Sequence, residues 1–380
     1  MIDSKETNIF ERNPKKFLLV FYLFLIICIE LMLRLLASHG VVTIAYYPTS
    51  NIQNKYLGDI NEHFGVWHYP NREVHMRSPC YDVVYTSNSY GARDIEREKQ
   101  ASGSKRFVVL GDSFVEGVGV SLESRMTNLI EDQTGYELLN FGVSGNFSST
   151  QEWLLYREMA SKFEHDEVAI FVLPDNDFLD NDPTQFGPSR YRPYLRKKDD
   201  GAFEVYYPVE FQKGKEGKEI SIGRKIRRTV YNNFYLLNIL KQIGRSFEES
   251  DFGDFVDQAY QNRVSYDDFN DLDIARVSFA YKQIAEESGF KKIRVFIIPR
   301  ESDLDAYSSG NNKLSVVNAL KKSLADAKGI YIYDLLPFYV EYAKKQNVPY
   351  DKFFHACDGH WSNLGNKVAA DAVVNILSDS

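Results

Sequence analysis

Three side chains of the kinds that perform nucleophilic catalysis stand far apart in the chain: Ser113, in Gly111-Asp112-Ser113, and the pair Asp358 and His360, in Asp358-Gly359-His360. A serine hydroxyl is a weak nucleophile until a base takes its proton, and an imidazole is suited to do so near neutral pH. A carboxylate beside that imidazole can hold it and stabilise its charged form. Residues two apart in an extended segment project to the same side, so Asp358 can serve His360. Ser113 follows the apolar, partly β-branched run 107–110 and precedes Gly117, Gly119 and a helix-spaced stretch. A serine at the carboxyl end of a buried parallel strand has its hydroxyl at the sheet rim. Its backbone N–H points outward with the first helical turn. Two plainer readings stand beside this one. Asp112 and Ser113 also suit a helix N-cap, and a lone histidine is more often packed or solvated than catalytic.

The elements that must bring these residues together alternate along the chain. Strand-like runs are 107–110, 137–141, 167–173, 293–298 and 331–333, and helix-like stretches are 122–134, 150–163, 273–288, 313–327, 337–345 and 362–377. Such alternation predicts a parallel sheet covered on both faces, with right-handed connections. Residues 41–100 form a pre-domain segment in which 82–86 alternates like a strand. Asn88-Ser89-Tyr90-Gly91-Ala92-Arg93-Asp94 resembles a segment that often precedes the Gly-Asp-Ser block in membrane-anchored bacterial proteins; its plainer reading is a glycine turn with a solvated Arg–Asp pair, and it receives no catalytic role. The alternation fails between 181 and about 270, which holds Pro183, Pro188, Pro193 and charged clusters at 196–200 and 214–219. A connection of that length must hold structure of its own. It predicts an insertion of a hairpin and helices, with 224–243 helical, that could flank the mouth of the site.

The chain has 380 residues, 44% hydrophobic and 26% charged, which suits one large globular domain or two modest ones. A net charge of -8 with no basic stripe argues against general nucleic-acid binding. His39, His63, His68, His75, His165 and His355 form no H-x-x-x-H spacing and no C-x-x-C is present, which disfavours a metal site. Residues 17–37 are apolar except for Glu30 and Arg34, and reach the length needed to cross a bilayer. Glu30 and Arg34 share a helix face near the outer end, where they can pair or snorkel. Arg12, Lys15 and Lys16 precede the run, which puts residues 1–16 in the cytoplasm and the remainder outside, on the periplasmic or extracellular face. The rival is a cleaved leader, for which the 36–40 region lacks a clean A-x-A site. With that topology Cys80 and Cys357 both lie where an oxidised pair persists, which suggests a disulfide between them; two unrelated buried thiols are the alternative.

Gly111-Asp112-Ser113-Phe114 resembles the first signature block of the SGNH/GDSL hydrolases, which are serine esterases and acyl-hydrolases. Three further blocks follow in the family's order: Asn140-Phe141-Gly142-Val143-Ser144-Gly145-Asn146, Leu173-Pro174-Asp175-Asn176-Asp177-Phe178, and Cys357-Asp358-Gly359-His360-Trp361-Ser362-Asn363-Leu364-Gly365. The resemblance covers roughly 82–180 and 270–380, and it is to the membrane-anchored, extracytoplasmic bacterial type. It implies a flavodoxin-like α/β/α sandwich with a five-stranded parallel sheet over residues 101–380. It also implies Ser113 as nucleophile, His360 as base and Asp358 as acid, with an oxyanion hole of Ser113 N–H, Gly145 N–H and the Asn176 amide. An amide donates without carrying charge, so it can meet a developing oxyanion at any pH. The chain departs from the family in two places. Pro174 stands where glycine is common, and Cys357 occupies the commonest position of the acid, although D-x-H spacing occurs in extracytoplasmic relatives. The implied activity is an esterase that needs no cofactor and removes O-acyl, chiefly O-acetyl, groups from an envelope carbohydrate. An O-acyltransferase acting on a polysaccharide, and a non-catalytic carbohydrate-binding protein, are the alternatives. The implied partners are the acylated carbohydrate and, through 17–37, the lipid bilayer.

Overall fold

The run before Ser113 is β1 (Arg106–Gly111) of a five-stranded sheet in the computed structural model of the protein; β2 is Glu137–Asn140, β3 Glu167–Val172, β4 Lys292–Ile297 and β5 Ile330–Asp334. The structure describes residues 13–38, 42, 44, 56–78, 80–101, 103–186, 191–212, 221–247, 265–311 and 313–378. His39, Pro188 and the 214–219 cluster lie outside them. The described residues divide into two compact units, the helix Pro14–Ser38 with residues 221–247, and the rest.

In the larger unit every strand pair of the sheet is parallel and the order is β5-β4-β3-β1-β2. Read from the other edge this is 2-1-3-4-5, the flavodoxin-like order the family resemblance implies. Every residue of β1 and β3 is buried, as expected of strands covered on both faces. The helices form two separately packed layers. Ser149–Glu158, Asp271–Glu287 and Ser315–Ser323 pack together, as do Met126–Thr134, Leu336–Gln346 and Asn363–Ser378. Strand order reverses between β1 and β3, and the crevice at the carboxyl ends of strands beside such a reversal is where these sheets bind ligands.

Some expectations needed adjustment. The stretch 122–134 is a 3₁₀ turn, Leu122–Ser124, and a helix, Met126–Thr134, parted by an extended Arg125. A helix at Glu301–Ser308 was not expected. Residues 56–100 are continuous with the core, since Phe64, Val66, Trp67 and Ala92 join the same apolar cluster as β1 and β3. Two antiparallel hairpins lie there, Leu57–Asn61 with Gly65–His68 and Glu73–Ser78 with Tyr81–Thr86. Arg93 is buried, not solvated. It donates to the carbonyls of Glu116 at 2.7 Å, Gly117 at 2.6 Å and Val120 at 2.6 Å, and lies 3.6 Å above the Tyr85 ring. Arg125 pairs with Asp94 at 2.9 Å. The 88–94 stretch therefore binds the segment just after Ser113. The insertion supplies a hairpin, Tyr194–Lys197 with Phe203–Tyr206.

In the smaller unit Pro14–Ser38 is one unbroken helix of 25 residues, long and apolar enough to cross a membrane, with no buried residue. The stretch expected as one helix over 224–243 is two, Ile222–Asn233 and Tyr235–Phe247, because Phe234 is extended (φ -117°, ψ 101°). Glu30 accepts the backbone N–H groups of Tyr235 at 3.0 Å and Leu236 at 2.9 Å. Arg34 pairs with Glu30 at 2.9 Å, donates to the Asn233 carbonyl and lies 4.6 Å from the Tyr235 ring centroid.

Candidate active site

β1 ends at Gly111, and a short helix, Ser113–Glu116, starts on the next turn. Asp112 is its N-cap and accepts the Phe114 N–H at 2.9 Å, so the capping reading holds for Asp112. That leaves the Ser113 hydroxyl uncommitted to the helix. Its partner is His360, whose Nε2 lies 2.8 Å from Ser113 Oγ across 247 residues of chain. Asp358 Oδ1 lies 3.3 Å from His360 Nδ1 and accepts the His360 backbone N–H at 3.2 Å. The side-chain contact is an ion-pair distance without the alignment of a hydrogen bond, as is common before substrate binds. Burial would raise the Asp358 carboxyl. His360 beside it outweighs that effect, helped by the Tyr81 hydroxyl, and holds it below the usual aspartate range.

The loop that carries these two residues is closed on itself. The His355 N–H donates to the His360 carbonyl at 2.7 Å, and the Gly359 N–H to the His355 carbonyl at 2.8 Å. Gly359 sits at φ +74°, a left-handed turn that suits glycine. Phe114 packs on the His360 ring with centroids 5.2 Å apart and edge-on against buried Trp361 at 5.0 Å. The loop is also tied from outside. Cys80 and Cys357 form a disulfide with Cα atoms 5.9 Å apart. Their sulfurs lie close to Asp358, but bonded to each other they offer a metal no thiolate. A cleft of about 450 Å³ beside the loop is lined by Tyr81, Val83, Gly119, His355, Asn363 and others.

The second and third blocks emerge from β2 and β3, on either side of β1. Gly145 lies at φ +91° in the 142–146 segment, followed by Asn146 at φ +63°. That segment is held by the Val143 N–H on the Gly111 carbonyl at 3.1 Å and by the Ser144 N–H on the Glu116 carboxylate. Gly142 is the glycine that packing requires, since a Cβ there would lie 2.3 Å from the Glu116 nitrogen. Asn176 opens from the helix Pro174–Asp180, with Pro174 at its first position, where a missing N–H costs nothing. Burial raises the Asp112 carboxyl, although the Phe114 N–H and the nearby Asn176 side chain act to lower it. Asn176 thus lies beside Asp112, the residue before Ser113.

Several supporting residues carried no signal in the sequence. Glu116, fully buried, lies 3.3 Å from buried His68 of the second strand of the first hairpin. Burial would raise its carboxyl, but His68 foremost, with the Ser144 N–H and Arg93, brings it down to about 2. Tyr81 lies beside Asp358, and Arg300 pairs with buried Asp175 at 2.9 Å. None belongs to a motif, since each is defined only by what it touches.

No family model matches the chain, and no curated protein matches it. Solved structures similar to it are known, several of them lipolytic proteins of the G-D-S-L family. They include a member of the lipolytic G-D-S-L family from Veillonella parvula, 10% identical, covering 72% of this chain and 99% of that one at a TM-score of 0.36. Phospholipase A1 from Streptomyces albidoflavus is 12% identical over 72% of this chain and 99% of that one, at 0.38. A variant of an acetyl-xylooligosaccharide esterase from Geobacillus is 10% identical over 73% and 95%, at 0.38. The chemistry of the site rests on its own geometry.

Proposed function

We propose that this chain is a membrane-anchored serine esterase that removes O-acyl groups, chiefly O-acetyl, from an envelope carbohydrate on the extracytoplasmic side. The observation that carries the reading is the 2.8 Å approach of Ser113 Oγ to His360 Nε2, with Asp358 against the far nitrogen of the ring. Ser113 Oγ attacks the ester carbonyl carbon while His360 Nε2 takes its proton. The tetrahedral oxyanion is met by the Ser113 N–H, the Gly145 N–H and the Asn176 amide. The C–O bond to the sugar breaks, and His360 returns its proton to the departing alcohol. Water then attacks the acyl-enzyme with His360 as base, releasing the carboxylic acid and restoring Ser113. Asp358 stays ionised and stabilises the imidazolium at each step.

The location is supported by the bilayer-length helix Pro14–Ser38 with Lys15 and Lys16 at its start. Glu30 is engaged with the helix Tyr235–Phe247, a contact that a cleaved leader would not keep. The test is labelling of the full chain by a fluorophosphonate, followed by acetate release from a panel of acetylated glycans. The expected result is labelling and release that both vanish in Ser113→Ala. A folded protein that neither labels nor releases acetate, or a Ser113→Ala variant of undiminished activity, would overturn the reading.

A further inference from the structure

The helices Ile222–Asn233 and Tyr235–Phe247 hold none of the residues named for the site, yet their pattern is pronounced. In the first, Ile222, Ile226 and Val230 recur every four residues on one stripe, and Arg224, Lys225, Arg227 and Arg228 occupy the rest of the circumference. In the second, Leu237, Leu240 and Ile243 form a stripe, with Lys241 at its margin beside Leu237 and Asn238 on the opposite side. Ile222, Ile226, Phe234, Leu237, Leu240 and Ile243 are all exposed, Ile222 at 76% and Leu240 at 54%. Apolar stripes of this extent, flanked by cations, mark a surface that something covers.

The neighbouring helix says what covers it. Glu30 lies about 20 Å along its helix from Phe17 at 1.5 Å per residue, within a hydrocarbon layer about 30 Å thick. A carboxylate and a guanidinium at that depth need polar partners that lipid cannot supply. The partners present are the N–H groups of Tyr235 and Leu236, which take Glu30, and the carbonyl of Asn233, which takes Arg34. The junction between the two amphipathic helices is therefore fastened to the anchor at membrane depth. We propose that residues 222–247 are an interfacial element of the same bilayer. The exposed apolar stripes lie among the outer ends of the acyl chains, and the basic face of the first helix meets the phosphates of anionic lipids, as amphipathic helices do. This inference rests on reading Pro14–Ser38 as a retained anchor.

The test uses the full chain in vesicles of phosphatidylethanolamine and phosphatidylglycerol carrying brominated acyl chains, which quench tryptophan on contact. The three native tryptophans are buried in the other unit and supply an unquenched background. Leu25→Trp reports the anchor, and Ile226→Trp and Leu240→Trp report the amphipathic pair. All three are expected to be quenched, with 226 and 240 quenched more by bromines near the headgroup than by bromines near the chain end. Quenching at 25 without quenching at 226 and 240 overturns the inference and leaves the anchor intact. Absence of quenching at 25 overturns the anchor reading and this inference together. Replacing Arg224, Lys225 and Arg227 by Gln should reduce quenching at 226 several-fold in these vesicles and hardly at all in phosphatidylcholine. Undiminished quenching at 226 in that variant in the anionic vesicles, or an equally large loss in phosphatidylcholine, overturns the assignment of the basic face to lipid phosphates.

Discussion

Tyr81 lies outside every signature block, yet its hydroxyl stands beside Asp358, the group set against His360, and helps hold that carboxyl ionised. An interaction with a charged partner contributes about 1.5–3 kcal/mol. Tyr81→Phe should therefore lower kcat about tenfold with KM nearly unchanged and lower the melting temperature by a few degrees, which steady-state kinetics with a short acyl ester and a thermal melt would read. Glu116 acts one step further out. Its carboxyl, brought down to about 2 chiefly by His68, holds the Ser144 N–H and with it the segment that carries Gly145. A carboxyl whose folded pKa is depressed adds stability that is complete above its unfolded value and is lost as pH falls towards the folded one. For Glu116 that window runs from 4.5 down to about 2. Urea denaturation across that range should show a steep loss of stability in the native protein and a shallower one in Glu116→Ala. At neutral pH the same variant should be less stable by about 3–5 kcal/mol, because it strands buried His68.

The element that presents His360 is a loop with little regular structure of its own, so its position depends on neighbours. The hairpin Glu73–Ser78 with Tyr81–Thr86 grips it through the Cys80–Cys357 disulfide and through Tyr81. The disulfide closes a sequence separation of 277 residues. Loss of such a crosslink costs about 2–5 kcal/mol. The double variant Cys80→Ser with Cys357→Ser should melt at a lower temperature and lose kcat, and reductant should do the same to the native protein but nothing to the variant. On the other side of Ser113, the segment after β2 approaches the helix Ser113–Glu116 so closely that Gly142 cannot carry a side chain. Gly142→Ala should cost about 1–3 kcal/mol by overpacking. It should also reduce activity more than it reduces melting temperature, since the displaced backbone is the one leading to Gly145.

Over the whole molecule, the two compact units are interleaved in sequence, because the insertion that interrupts the larger one returns to the N-terminal helix. A chain cut to begin at residue 41 therefore loses Glu30 and Arg34 while keeping the apolar stripes of 222–247. Such a chain should associate in light scattering unless detergent is present. Further removal of 221–247, joined by a short glycine-serine link, should restore a monodisperse species. Equal behaviour of the two truncations would show that the stripes are not sticky on their own.

Periodicity was enough to read the sheet, its strands and the flanking helices, because burial on both faces forces continuous apolar runs on strands and a 3.6-residue stripe on helices. Ser113, His360 and Asn176 were legible for a different reason, since each stands at the carboxyl end of a strand or just before a helix in a short motif. The break at Phe234 and the buried state of Arg93 were not legible. Local pattern cannot tell a solvated arginine from one that binds three carbonyls, because the difference lies in residues 23 to 27 positions away. The same holds for Tyr81, His68 and Glu116, and for the destination of the 221–247 insertion. Local sequence specifies which segments curl or extend and which faces shun water; only folding in three dimensions decides which distant polar atoms meet, since such pairs leave no period in the chain.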